Sequence, residues 1–114
     1  MTSDETAVPA VGVRRLDEVF DAVEAANRSP QPWTAFDHGV LGAYRWAVGT
    51  QVAAPVTASA ALGAAGPCRA QLLAECQAAA VSLREALAAG ADSRGALGAY
   101  QALAWLCGHH DDRP

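Results

Sequence analysis

GVLGAY occupies residues 39–44, and GALGAY returns at residues 95–100. Five of the six letters agree across an offset of 56 positions in a chain of 114 residues. An ancient duplication and a coincidence of composition both account for the match, but the physics of the hexamers does not depend on ancestry. Each carries two glycines three residues apart inside a segment of helical pattern. Glycine within a helix costs about 1 kcal/mol relative to alanine. Gly39, Gly42, Gly95 and Gly98 together therefore cost about 4 kcal/mol, which is comparable with the net stability of a small domain. Such a cost calls for an offsetting gain. Removing Cβ atoms from neighbouring turns lets another backbone approach closely, so the two hexamers are expected to cross, related by an approximate two-fold axis. The competing reading is codon bias that leaves two weak helices.

Working outward, four helices are expected. VRRLDEVFDAVEAAN (13–27) places Leu16, Val19, Phe20, Val23 and Ala26 on one stripe and Arg14, Asp17, Glu18, Asp21 and Glu24 on the other face. Arg14 with Glu18, and Glu24 with Arg28, are spaced for i,i+4 ion pairs. NRSPQP (27–32) breaks the chain with two prolines. A second helix is expected from Thr34 to about Val48, opened by a Thr34–Asp37 capping box and closed by Gly49. A third runs from about Pro67 to Ala89 with Gly90 beyond it, along a stripe of Cys68, Leu72, Cys76, Ala79, Leu83 and Leu87. After a turn capped by Asp92 or Ser93, a fourth runs from Arg94 to Cys107 and is apolar nearly all round. Such a helix is either central to a core or shared with a partner. The segment 50–67 is long for a plain loop, and a short helix is expected within VTASAALGAA (56–65).

The expected fold is thus all-α: one helical domain over residues 13–108, made of two αα-hairpins joined by a long Ala/Pro-rich connector. Residues 1–12 and 109–114 are expected to be flexible. Fifty-two per cent hydrophobic and 18% charged residues describe a globular chain. Twenty-eight alanines, with no lysine and no isoleucine, suit a GC-rich bacterial genome. A formal charge of −4 with eight scattered arginines offers no phosphate-binding patch, so nucleic acid is not expected as a partner. Three cysteines and no apolar leader point to a reduced, cytoplasmic setting. Residues 46–68 carry no charge over 23 positions, but their polar residues, prolines and weakly apolar alanines suit a connector rather than a membrane span.

No catalytic residue, cofactor or metal ligand is assigned. CGHHDDRP (107–114) gathers Cys107, His109, His110, Asp111 and Asp112, but adjacent ligands in a chain terminus fit no recognised closed site, and a solvated tail is the expectation. Asp37, His38, Tyr44 and Arg45 cluster in sequence without a matched acid–base pair. Cys68 and Cys76 are too far apart on one helix to bridge and are expected as core thiols. Trp46 sits about 200° around the helix from Tyr44. With Arg45 beside it, Trp46 is the leading candidate for contact with a partner, and Trp105 and Leu106 on the apolar fourth helix are the others. The alternative for Trp46 is burial beneath the connector. The functional expectation is a small non-catalytic interaction protein that binds another protein or a second copy of itself. A first alternative is an accessory or inhibitor protein of a phage or mobile element, acting through the acidic face of Asp17, Glu18, Asp21 and Glu24. A second is an enzyme or metal-binding protein built on the tail.

Overall fold

The computed structural model describes residues 10–60 and 66–114. Four helices carry the fold: α1 (Leu16–Asn27), α2 (Ala35–Ala47), α3 (Arg69–Ala89) and α4 (Arg94–Leu106). Among the described residues the sheet is a two-residue ribbon, β1 (Ala10–Val11) against β2 (Arg14–Arg15). The four helix ends follow local chemistry. Asp37 N–H donates to Thr34 Oγ1 at 3.2 Å and Thr34 N–H donates to Asp37 Oδ2 at 2.9 Å, which satisfies two orphan donors at the start of α2. Gly49, Gly90 and Gly108 take positive φ values of 83°, 69° and 79° just past α2, α3 and α4. Each lets the next amide reach back five residues: Thr50 to Arg45 O (2.9 Å), Ala91 to Ala86 O and His109 to Ala104 O (both 2.8 Å).

The main packing interface of the fold is between α2 and α4, and α3 packs on α4 beside it. At the crossing a Cβ on Gly39 would fall on the carbonyl oxygen of Gly95 and lie 3.0 Å from Ala99 N. Reciprocally, a Cβ on Gly98 would fall on the carbonyl oxygen of Phe36 and lie 3.1 Å from Val40 N. These contacts are related by an offset of 59 residues, not the 56 of the hexamers. The same offset superposes α2 on α4 end to end, Trp46 on Trp105 and Gly49 on Gly108. A local two-fold relation is therefore present, but its register differs from that of the letter match by three residues, nearly one helical turn. Gly42 lies outside the crossing, 3.8 Å from Pro55 Cβ, and Gly95 has only Ala35 O at 3.8 Å. Side-chain room is absent at two of the four glycines and present at the other two.

The chain before Leu16 departs from expectation. Ala10–Val11 and Arg14–Arg15 pair across a two-residue turn at Gly12, whose φ of 61° suits glycine in first position. This takes residues 13–15 out of α1 and residues 10–12 out of the segment expected to be flexible. Residues 1–9 lie outside the described residues. The ribbon docks on the end of α4: Val13 N–H donates to Leu106 O at 2.9 Å. Arg14 does not pair with Glu18. Its Nε donates to Trp105 O and its Nη2 to His110 O, both at 2.7 Å, and its guanidinium lies 4.7 Å above the Trp105 ring. A cation thus satisfies carbonyls at the negative end of a helix dipole. Replacing Arg14 by Met keeps the apolar stem and removes both bonds, together with the 3.4 Å ion pair of Nη2 with the exposed Asp111 carboxylate. The expected loss is about 2 kcal/mol of unfolding free energy in urea, against less than about 0.5 kcal/mol for Arg45→Met at an exposed site.

Glu75 organises the connector. It lies off the expected apolar stripe of α3, yet it is 3% exposed. Its carboxylate accepts from Val56 N–H (2.6 Å), Thr57 N–H (2.9 Å) and Thr57 Oγ1 (2.7 Å). Residues 53–60 form a turn closed by an Ala53–Ala60 bridge, not the helix expected from residue 56 onward. Residues 61–65 of that expectation lie outside the described residues. The tail is not free of the body either, since Arg14 holds the His110 carbonyl and Pro114 lines a small cavity with Ala25, Ala26, Phe36 and Val40. No described helix is long and apolar enough to cross a membrane.

Candidate functional site

Of the residues expected to meet a partner, only Arg45 is exposed. Trp46 is 1% exposed, because Thr57, Ser59, Gln71, Ala74 and Glu75 wall it in from the side opposite α4. The 200° that separates Trp46 from Tyr44 is real, but α2 is covered on both faces and both rings are core. Trp105 and Leu106 are buried too, as is every residue from Ala102 to Cys107. The apolar circumference of α4 is used up within the chain, on α2, on α3 and on the ribbon. Nor do Asp37, His38, Tyr44 and Arg45 converge. Asp37 caps α2, His38 lies edge-on to Trp33, and Tyr44 is buried edge-on to Trp105 at 6.1 Å. Burial pushes the Tyr44 phenol well above its ordinary range, which keeps it protonated and unfit for proton transfer near neutrality.

Besides α3, where Leu73, Val81 and Leu87 are exposed, the outer face of α1 remains open. This helix buries only Val19 and Ala22, whereas α4 buries seven residues. Phe20, expected on the inward stripe, is 48% exposed. The reason is geometric. The stripe of five apolar residues is wider than the contact α1 makes, which is chiefly with α2. Asp17 at i−3 and Glu24 at i+4 neighbour Phe20 on the helix, Asp21 lies about a quarter turn away and Glu18 about 200° around, and all four are exposed. Asp17 pairs with Arg15, whose guanidinium holds that carboxyl below its usual range by hydrogen bonding, and Glu24 lies 3.7 Å from Arg28. Glu18 Oε1 accepts from Arg15 N–H at 3.0 Å. Four carboxylates against two guanidinium groups leave an excess of two negative charges along the exposed surface of α1.

A second constellation joins two distant parts of the chain. Cys76, in the middle of α3, and Cys107, at the end of α4, are both buried, and both thiols are free. His109 follows on the surface, carried there by the turn at Gly108. One sulfur from each cysteine and one ring nitrogen of His109 lie within 4.8 Å of one another. Hydrogen bonding from the Cys76 thiol pulls the Cys107 thiol below its ordinary value, with Arg69 adding positive potential against the cost of burial. Cys76, as donor and as a buried group, is pushed up. Asp111 and Asp112 of the expected tail cluster are exposed, and the His110 carbonyl is taken by Arg14. Cys68, expected in the core, is exposed at the start of α3. Only Cys107 and His109 could be singled out from the sequence of the tail. The contribution of Cys76 depends on how α3 packs against α4, 31 residues away in sequence.

Compared with protein-family models, with curated proteins and with solved structures, the chain matches none.

Proposed function

We propose that this chain is a non-catalytic protein-binding module of the bacterial cytoplasm that presents the outer face of α1 to a basic partner. The observation that carries the reading is Phe20, a half-exposed aromatic ring with Asp17 and Glu24 one helical turn to either side and Asp21 beside it, on the helix with the fewest buried residues. Aromatic side chains ringed by polar groups supply the concentrated binding energy of interfaces, and the surplus negative charge favours and steers a cationic surface. Self-association through α4 loses its support, because that helix has no free apolar face. The three free cysteines suit a reducing compartment.

The test compares wild type, Phe20→Ser, and the pair Asp21→Asn with Glu24→Gln as baits in cell extract. The expected result is one or more basic proteins retained at low salt, released at 0.5 M salt as screening shortens the Debye length to about 4 Å, and lost with either variant. Thermal unfolding should be unchanged by these surface substitutions. Retention that ignores salt and survives Phe20→Ser would sink the reading. So would a concentration-dependent dimer, on size-exclusion chromatography, that accounts for all binding.

A further inference from the structure

We infer that Cys76, Cys107 and His109 form a binding site for a thiophilic divalent cation, zinc being the chemical type, with two sulfur ligands inside and one imidazole at the surface. The inference is independent of the α1 face. Three donor atoms of the kinds zinc selects already lie within 4.8 Å of one another. A tetrahedral zinc centre with Zn–S and Zn–N bonds of ordinary length separates two sulfurs by about 3.8 Å, and sulfur from nitrogen by about 3.6 Å. The donors therefore need to draw together by at most about 1 Å, within the reach of χ1 adjustments on residues already in contact.

Three features of the chain favour this arrangement over two thiols packed by chance. First, the backbone fixes the ligand on the mobile side. His109 N–H is bonded to Ala104 O at 2.8 Å, and Gly108 turns the chain with φ of 79°, so His109 is held at the mouth of the cysteine pair rather than trailing from it. Second, both sulfurs are buried and free, brought side by side from the middle of α3 and from the end of α4. Third, the buried sulfurs lie behind an exposed imidazole, which gives an ion an entry path from solvent. The set supplies three ligands, and water completes the fourth position on the solvent side. Bound there, the ion clamps the middle of α3 to the last turn of α4. Binding displaces thiol protons, so affinity rises with pH.

The experiment uses the full, untagged chain, fully reduced, titrated with cobalt(II) as a spectroscopic stand-in for zinc. The expected result is one cobalt per chain, with a thiolate-to-cobalt charge-transfer band and the intense visible bands of tetrahedral coordination, bleached by one equivalent of zinc. Cys76→Ser and Cys107→Ser should each abolish the charge-transfer intensity of a two-thiolate site, and Cys68→Ser should leave it unchanged. His109→Ala alters an exposed position and should leave the fold intact while weakening cobalt binding at least about ten-fold. Zinc should also raise the melting temperature of wild type by several degrees, and not that of Cys107→Ser. Absence of the band in reduced wild type, or its persistence in both core cysteine variants, or its dependence on Cys68, overturns the assignment.

Discussion

Gly39→Ala and Gly98→Ala are each expected to remove about 3 kcal/mol of stability, while Gly42→Ala is expected to add about 0.5–1 kcal/mol. The three substitutions are chemically identical and made within equally regular helix, so intrinsic propensity favours alanine at every one. What separates them is the other side of the interface. At Gly39 and Gly98 the new methyl group meets a main-chain carbonyl, of Gly95 and of Phe36, which cannot swing aside as a side chain could. The helices must part, and every contact along α2 and α4 loosens with them. At Gly42 the nearest atoms are Pro55 Cβ at 3.8 Å and Gln51 Nε2 at 4.0 Å, ordinary van der Waals neighbours. Urea unfolding of the three single variants decides the matter. If Gly98→Ala gains stability as Gly42→Ala does, the helices do not meet backbone to backbone.

Glu75→Ala should cost about 3 kcal/mol, for a different reason. The carboxylate is the common acceptor for two amides and a hydroxyl of residues 56 and 57, and it is nearly inaccessible to water. Removing it leaves the Val56 and Thr57 amides without that acceptor in a half-buried place, where each unsatisfied group costs about 1–3 kcal/mol, less whatever the segment recovers by peeling into solvent; the Thr57 hydroxyl keeps Ser59 Oγ at 2.8 Å. Glu75→Gln retains an acceptor oxygen and should lose roughly half as much. Hydrogen exchange supplies the second readout. Protection should fall at Val56 and Thr57, and persist at amides of α2 and α4. Uniform loss of protection across the chain would show instead that Glu75 supports the whole fold rather than the connector.

Features governed by neighbours in sequence were legible; those governed by distant segments were not. The spans of α2, α3 and α4, the Thr34–Asp37 cap and the terminal glycines Gly49 and Gly90 follow from interactions within five residues, and they stand within two residues of where the pattern puts them. The two-fold relation of α2 and α4 was visible as a repeated hexamer. Its register was not, because which turn of one helix faces which turn of the other is set by backbone clearance rather than by letter identity. Glu75 lies off the apolar stripe of α3, and only the connector folded over it accounts for its burial. Trp46 looked unpartnered for the same reason. Phe20 erred in the opposite direction. Periodicity identifies the apolar side of α1, but not how much of that side another element will cover. Arg14, spaced for Glu18, found a stronger partner in the carbonyl groups that end α4. The cysteine–histidine cluster shows the limit most plainly, since Cys107 and His109 are adjacent in the chain whereas Cys76 joins them only through tertiary packing.

The backbone contact between α2 and α4 also bears on how the chain reaches its native state. Gly39 meets Gly95 across 56 positions and Gly98 meets Phe36 across 62, so this main-chain contact is far from local. Either half alone would display a bare strip of main chain with nothing to lie against, and neither could recover the helix-weakening effect of its glycines. Closing so wide a loop costs entropy before any contact compensates. Assembly of this fold is accordingly an all-or-none event, in which the first hairpin acquires its stability only when the second arrives.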